Sequence, residues 1–311
     1  MNSQISQSKF RETAAKIIRI REFPIITYII VLSIIFSVSI DGFFSLQNVE
    51  NISRQIAVIG IMSIGMTLAI LTAGIDLSVG SILSFTISIG GVGIVGGWPF
   101  WTVYLFIIAL GFMLGSVNGF LITRLKVPAI IITLGTMSIF RGVTMVITKG
   151  IYITPIPSIY LWIGKGYVPF ICLFVLLVLF ITIARTTRFG RNLFAIGGNE
   201  EAARYSGVPV DKYRFIVYII SGVLSAVAGI IFVGRSGFVQ PQECVVYEMN
   251  AIAAVVIGGT SIFGGSGSVL GTFLGSVLMG IILAGLTMLA VDPYWQGVVT
   301  GLLIILAISL D

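Results

Sequence analysis

Two long stretches of this sequence contain no charged side chain: residues 77–123 and residues 249–291. A helix needs about 20 apolar residues to cross the hydrocarbon core of a bilayer, so each stretch is long enough to cross twice. Each stretch also contains a place to reverse, GGWPF at 96–100 and GGSGS at 264–268, because clustered glycine and proline interrupt helices. The two stretches therefore predict four membrane helices arranged as two hairpins.

Six more apolar stretches are each long enough for one crossing, so about ten transmembrane helices are predicted in total. The composition agrees, since 57% of the residues are hydrophobic and 10% are charged, whereas about 25% are charged in a typical soluble domain. We therefore predict an all-α integral membrane protein, with a cytoplasmic segment at 1–23 followed by a single transmembrane domain at 24–311. The single spans are expected at residues 23–40, 55–75, 127–148, 166–184, 215–234 and 293–310.

The basic residues predict the orientation of these spans, because lysine and arginine are enriched in the cytoplasmic loops of membrane proteins. With ten spans, thirteen basic residues fall on one side: five before the first span, two in RLK at 124–126, and six in the loop 185–214. The other side receives only four, namely Arg54, Lys149, Lys165 and Arg235. Both termini and the loop 185–214 are therefore predicted to be cytoplasmic.

Several kinds of function are excluded by what the sequence lacks. It has no histidine, so neither a zinc site of the HExxH kind nor a Ser-His-Asp triad can form. It has no GxxxxGKS/T phosphate loop, so we do not expect the chain to hydrolyse ATP itself. The net charge of +6 comes from the loop clusters, which indicates topology rather than binding to nucleic acid. We expect no catalytic residue, no metal site and no cofactor bound by this chain.

The loop 185–214 contains the signals of a short helix. An asparagine precedes two glutamates, which suit the positive N-terminal end of a helix, and an arginine follows before a glycine and a proline end it. The residues that carry these signals are Asn199, Glu200, Glu201, Arg204, Gly207 and Pro209. The helix predicted at 199–206 presents charge together with Ala202, Ala203 and Tyr205. Two interpretations are open: a solvated loop that only supplies inner positive charge, or a docking element for a soluble partner.

Four sequence blocks occur together and in order along most of the chain. They are ILTAGIDLSVGS at 70–81, TLGTMSIFRGVTMV at 133–146, FAIGGNEEAARYSGV at 194–208 and AIAAVVIGGTSIFGGSGSVLGT at 251–272. With these blocks the chain resembles, over about residues 25–311, the transmembrane permease subunits of bacterial ATP-binding-cassette (ABC) importers of the ribose, galactose and xylose class. That class also includes permeases for autoinducer 2.

The resemblance implies a helical core like that of the vitamin B12 importer, placed in the lipid of the bacterial inner membrane. It implies three partners: a second permease copy or a related paralogue, cytoplasmic ATPase subunits that use ATP and Mg, and a periplasmic sugar-binding protein. It also implies that this chain is a permease, which moves a monosaccharide or sugar-like solute inwards by alternating access. An ion-coupled secondary transporter of small polar solutes is the alternative interpretation.

The resemblance further implies that the short helix in the inner loop is the coupling helix, which rests in a cleft on the ATPase. This implication favours the docking interpretation over the solvated loop. Residue by residue, the match covers Gly198, Asn199, Glu200, Glu201, Ala202, Ala203, Arg204, Tyr205, Ser206 and Gly207.

Asp76 stands far in sequence from any other charge, near the inner end of the second predicted span or at a break within it. An ionised aspartate at the bilayer centre costs about 2.5–3.5 kcal/mol on insertion scales. Three interpretations are open: a structural cap, beside Ser78, at the N-terminus of the third span; a part of the gate or pathway; or a proton carrier. No other acidic residue is expected deep in the spans, which argues against a proton relay.

Arg141 is the other charge within a span. It is expected to pair with Glu248 or with backbone carbonyls at a helix end, because a lone guanidinium in hydrocarbon is costly. Contact with a sugar is the alternative, since a guanidinium group suits hydroxyl groups. The full set of residues predicted to line the translocation path or gate is Asp76, Ser78, Asn118, Thr133, Thr136, Arg141 and Asn250.

Overall fold

The computed structural model describes residues 22–242 and 244–309. Over these residues the chain forms twelve α-helices, two short 3-10 turns and no β-strand. The helices are α1 (Phe23–Ser39), α2 (Leu46–Leu71), α3 (Val79–Val95), α4 (Phe100–Leu125), α5 (Ala129–Thr148), α6 (Val168–Thr186), α7 (Arg188–Gly198), α8 (Glu200–Tyr205), α9 (Val210–Ser236), α10 (Tyr247–Ile257), α11 (Val269–Met288) and α12 (Pro293–Ser309). All but the last two residues of the segment 1–23 lie outside the described residues, as does the C-terminal residue. The cytoplasmic location of both termini therefore stays a prediction.

Each of the ten predicted spans overlaps one described helix, although α2 begins nine residues before its predicted span. α7 and α8 lie in the loop between α6 and α9. Six helices are long and apolar enough to cross a membrane by themselves, namely α2, α4, α5, α6, α9 and α11. The other four, α1, α3, α10 and α12, are shorter apolar helices. The chain is thus a multi-pass integral membrane protein, and the count of ten crossings stays a prediction.

α10 is the shortest of the described helices in the predicted spans. It has 11 residues, which corresponds to about 16 Å at the α-helical rise and roughly half of a hydrocarbon core. It ends at Ile257 because two glycines follow, and the second, Gly259, has a φ of +80° that suits glycine. It begins at Tyr247, before the charge-free stretch starts, so that Glu248 lies inside the helix.

Both predicted reversal points are confirmed. α3 ends at Val95 and α4 begins at Phe100, and Gly97 between them has a φ of +76°. The second reversal lies between α10 and α11, where Gly264 and Gly265 have φ values of +89° and +70°. Positive φ is inexpensive only for glycine, so these turns require the glycines that predict them.

α2 lies at the centre of the bundle. Of its most apolar stretch of 18 residues, 89% are buried. The helix packs against α6, α9, α10 and α11. α5 and α6 are peripheral, since only 22% and 28% of the residues in their most apolar stretches of 18 residues are buried. Because lipid tails are as apolar as leucine, close van der Waals packing rather than the hydrophobic effect holds such helices together.

Glycine provides this close packing between α4 and α9. A Cβ atom at Gly111, Gly115 or Gly119 would lie closer than 3.0 Å to an atom of α9. Gly271 and Gly275 of α11 approach the backbone at and near the end of α10 in the same way. The four-residue spacing of these glycines in the sequence predicts such helix contacts, and the prediction is confirmed.

We predict that Gly115→Ala lowers the free energy of unfolding by about 1–3 kcal/mol, the usual cost of overpacking. The added methyl group would meet the backbone of α9 at Tyr218. Gly301→Ala is the matched control, since a Cβ at Gly301 has no atom within 4 Å. Thermal unfolding of both variants in detergent measures the difference. Equal transition temperatures would contradict the packing described for α4 and α9.

Candidate functional site

The short helix predicted in the inner loop is present as α8. Asn199 is its N-cap, and the side-chain oxygen accepts a hydrogen bond from an N–H of the first turn at 2.9 Å. Glu200 and Glu201 lie in the first turn and Arg204 lies in the last turn, so these charges complement the helix dipole. Gly207 follows with a φ of +81°. The capping signals therefore predict this helix correctly.

α8 has one exposed side and one buried side. Tyr205 is 90% exposed, and Glu201 and Ala202 are exposed beside it. Ala203 is only 5% exposed and packs with Ile196 of α7 in a small apolar cluster. The expectation that Ala203 is presented outwards is wrong, because a six-residue helix against the protein must turn one side inwards. We name Glu201, Ala202 and Tyr205 the α8 surface.

Charged side chains hold α8 to the start of α9. Glu200 accepts hydrogen bonds from Arg204 at 2.9 Å and from Arg214 at 2.7 Å. Arg204 also donates to Asp211 at 2.6 Å. Burial acts to raise the pKa of Glu200, but the hydrogen bonds from Arg214 and Arg204 outweigh it, so the pKa is lowered. Glu200 is therefore ionised at neutral pH, and the network stays charged.

The helix α7, which precedes α8, is a feature that the sequence analysis missed. Thr187 caps it by accepting a hydrogen bond from the N–H of Gly190 at 3.2 Å. Leu193 and Ile196 are buried along one side. A threonine followed by apolar residues at a three-residue spacing is the available signal for such a helix. α7 ends at Gly198, so only Asn199 separates it from α8.

Asp76 lies in the irregular segment between α2 and α3, at the predicted break, and it is fully buried. Its Oδ1 accepts hydrogen bonds from the N–H and the hydroxyl of Ser78 at 3.0 and 2.5 Å. Its Oδ2 accepts one from the hydroxyl of Ser221 in α9 at 2.7 Å. The carboxylate thus binds a backbone N–H just before α3, in keeping with the capping interpretation. The sequence analysis missed Ser221, because the contact joins residues that are distant in sequence.

Asn118 and Thr133 bring two more helices to this break. The side-chain amide of Asn118 in α4 donates to the hydroxyl of Ser78 at 2.7 Å. The hydroxyl of Thr133 in α5 donates to the carbonyl of Ile75 at 3.0 Å. The hydroxyl of Thr136, in contrast, donates within α5 to the carbonyl of Thr133 at 3.2 Å. We name the connected set the Asp76 cluster; its residues are Asp76, Ser78, Asn118, Thr133 and Ser221.

A cavity of about 720 Å³ lies between the break and α8. Its walls are residues 72–75 of the break, the start of α5, the start of α9 and the charged network of α8. Tyr218 of α9 lines it as well, and the Tyr218 hydroxyl has no hydrogen-bond partner in the described part of the chain. Asp76 does not line the cavity. The break therefore faces open space on the side of α8.

Arg141 pairs with Glu248, which confirms the predicted pairing of these two residues. The guanidinium nitrogen and the carboxylate oxygen are 2.7 Å apart, and the two side chains are 29% and 5% exposed. Glu248 also lies against Gly80 at the start of α3. The expectation that Asp76 is the only acidic residue deep in the bundle is wrong, because α10 begins at Tyr247 and carries Glu248 inwards.

Asn250 belongs to a third polar group. Its side-chain oxygen accepts a hydrogen bond from Thr300 of α12 at 3.2 Å. Both residues line a second cavity of about 280 Å³, together with Gln55 and Gln296. The residues predicted to line one path are thus divided among the Asp76 cluster, the Arg141–Glu248 pair and this cavity, and Thr136 joins none of them.

Comparison with known proteins places this arrangement among transport proteins. The family described as branched-chain amino acid transport system / permease component matches residues 48–308. The ribose import permease protein RbsC of Bacillus subtilis is 41% identical over 288 residues, which cover 90% of this chain and 89% of that protein. RbsC of Haemophilus influenzae is 39% identical, with 94% and 93% covered. The autoinducer 2 import system permease protein LsrC of Photorhabdus luminescens is 35% identical, with 94% and 89% covered. No solved structure matches the chain.

Arg141→Met is expected to lower the free energy of unfolding by about 3–5 kcal/mol, because it leaves the buried Glu248 carboxylate without its partner. The double variant Arg141→Met with Glu248→Met is expected to recover most of this loss, since no unpaired charge then remains. Denaturation of both single variants and the double variant in detergent measures the coupling energy. Losses that simply add in the double variant would contradict the pairing.

Proposed function

This chain belongs to the family of branched-chain amino acid transport system permease components, and we propose that it is the permease subunit of an ABC importer for a monosaccharide or sugar-like solute. The family match runs from the first turn of α2 to the last turn of α12. The sugar class is supported by the relatives named for ribose import, which are similar over about the whole length of both chains. The relative named for autoinducer 2 import supports the same class.

The observation that carries this proposal is the α8 surface. A capped helix that is fixed to the membrane domain by ion pairs and exposes Tyr205 is suited to docking a soluble partner. The chain has no phosphate loop of its own, so we infer that cytoplasmic ATPase subunits dock here and supply hydrolysis with their own ATP and Mg. A periplasmic sugar-binding protein would deliver the solute from the other side.

We infer that the solute passes the Arg141–Glu248 pair and the cavity at Asn250 rather than the Asp76 cluster. Asp76 is fully buried and both of its oxygens accept hydrogen bonds, which suits a structural role in the break. Arg141 is partly exposed. The lining of the cavity at Asn250 includes three amide side chains and two hydroxyl-bearing residues beside its apolar residues. Amides and hydroxyls bind sugar hydroxyls without adding charge.

We also propose that two permeases form the functional unit, either two copies of this chain or this chain with a related paralogue. α5 provides the support: a Cβ at Gly135 or Gly142 has no atom within 4 Å, and Arg141 beside them is partly exposed. A guanidinium that faces lipid is costly, so a protein or water-filled surface is favoured there. We place the unit in the bacterial inner membrane, with α8 and both termini in the cytoplasm.

Capture of an ATPase tests the proposal. The chain is co-expressed with a candidate sugar-importer ATPase, and binding is measured for the wild type, Tyr205→Ala and Tyr152→Ala. Tyr205→Ala is expected to weaken binding about thirtyfold, since exposed tyrosines at interface centres are often hot spots of about 2 kcal/mol. Tyr152→Ala truncates another exposed tyrosine, 52% exposed and on the predicted outer side, and is expected to leave binding unchanged.

Transport in liposomes separates the proposal from its rival, an ion-coupled secondary transporter. The importer proposal expects uptake of labelled ribose, or of another pentose, only when the ATPase, ATP and the sugar-binding protein are all present. Uptake by the chain alone on an imposed proton gradient would refute it. Asp76 and Glu248 would then be the carboxylates to examine as proton carriers.

A further inference from the structure

Three of the four sequence blocks that carry the resemblance meet at one point in the structure. They contribute the end of α2, the end of α7 and the loop between α10 and α11, which lie in backbone contact. We name this contact the Leu71 junction; its residues are Leu71, Ala73, Gly197, Gly264 and Gly265. The proposed docking of α8 does not by itself require these three segments to touch.

The junction is built from backbone rather than from side chains. The N–H of Gly265 donates to the carbonyl of Leu71 at 3.2 Å. A Cβ at Gly197 would overlap that same carbonyl and the nitrogen of Gly265. A Cβ at Gly264 would lie 2.8 Å from the nitrogen of Ala73. The segments are therefore in direct contact, with no flexible side chain between them to absorb a displacement.

Arg214 provides a second connection between α8 and the same end of α2. Its guanidinium donates to Glu200 of α8 at 2.7 Å and to the carbonyl of Thr72 at 3.4 Å. Thr72 is the C-cap of α2. α8 is thus attached to α2 in two ways. The backbone at the end of α7, which directly precedes α8, contacts the end of α2, and the Arg214 side chain binds both α8 and the end of α2.

We propose that the Leu71 junction and Arg214 transmit the displacement of α8 to the break between α2 and α3, so that the ATPase moves this break during its cycle. The inference rests on the proposed role of α8 as the docking helix. Residues 72–78 form no regular helix, and part of this segment borders the 720 Å³ cavity on the α8 side. Such a segment absorbs changes of φ and ψ more readily than a helix does. Gly197 and Arg214 are therefore positioning residues.

The break is held on its other side by the Asp76 cluster. Asp76 and Ser78 are hydrogen-bonded to α9 and α4, and Ile75 is bonded to α5. A displacement applied at Leu71 or Thr72 is therefore passed to these three helices instead of being lost in a free loop. This arrangement connects the docking helix to the membrane helices that lie around the break.

Two neighbouring glycines offer a matched test. A Cβ at Gly197 overlaps the junction, whereas a Cβ at Gly198 has no atom within 4 Å. Each alanine variant is assembled with the ATPase and sugar-binding protein in proteoliposomes, and the ribose imported per ATP hydrolysed is measured. Gly197→Ala is expected to lower this ratio by about two- to thirtyfold, the usual range for residues that connect coupled sites, while Gly198→Ala preserves it. Equal ratios in the two assembled variants overturn the proposal.

A second pair of variants tests the proposal even if Gly197→Ala fails to assemble. Both substitutions shorten a side chain, so neither can overlap a neighbouring residue. Arg214→Gln removes the link to Thr72, and Lys212→Gln removes the same charge from an exposed site on the same helix. A cysteine at the exposed Ala73, with Cys172 and Cys244 replaced, reports on the break through its rate of modification by a thiol reagent. ATP is expected to change this rate by more than about twofold in the wild type and Lys212→Gln, and by clearly less in Arg214→Gln with the ATPase still bound, where only the junction remains.

An ATP-dependent change in Arg214→Gln that is as large as the change in the wild type overturns the proposal, as does a wild-type rate that ATP does not change. A wild-type chain that binds no ATPase gives a different result, because that outcome refutes the proposed function itself.

Discussion

Backbone groups inside a bilayer must find their hydrogen bonds within the protein, and the break between α2 and α3 is where this requirement is hardest to meet. Asp76 meets it by accepting bonds from Ser78 and from Ser221 of α9. Thr133 of α5 satisfies the carbonyl of Ile75, and the loop before α11 satisfies the carbonyl of Leu71. The segment between α2 and α3 is consequently tied to α4, α5, α9 and the loop before α11.

The buried acidic side chains of Asp76 and Glu248 are held inside the bundle in different ways. Asp76 is surrounded by hydroxyl and backbone donors and has no basic partner among its hydrogen bonds. Glu248 is instead paired with Arg141, which is exposed enough to be reached from outside the bundle. Removing either partner of that pair leaves the other without its ion pair, whereas Asp76 has donors from two places, Ser78 in the break and Ser221 in α9. This difference is why we assign Asp76 to the structure of the break and the Arg141–Glu248 pair to the path.

The loop 185–214 exposes the α8 surface and also fixes α8 to the bundle. The α8 surface faces outwards, while Ala203 packs inwards and Glu200 is bonded to two arginines. A docking helix that moved independently of the bundle would do no work on the solute. The ion pairs and the Leu71 junction together explain how a helix of six residues can expose one side and still be fixed to the rest of the bundle.

Local patterns predict much of this protein. The charge-free stretches predict the helices and both hairpins, and the order Asn199, two glutamates, Arg204 and Gly207 predicts α8. The pairing of Arg141 with Glu248 is also predictable, because a charge in a span needs a partner and few are available. α7 shows the limit of the approach, since its signals are weak beside those of α8.

The sequence by itself determined most of the helical segments and both hairpin turns, because periodicity, capping and glycine act over a few neighbouring residues. Only the tertiary structure decided that Ser221 binds Asp76, that Ala203 faces inwards and that Gly197 touches Leu71. Those contacts join residues from distant parts of the chain, and the spacing of glycines or hydroxyls along one helix does not say which other helix will approach. Helix packing in three dimensions makes that choice.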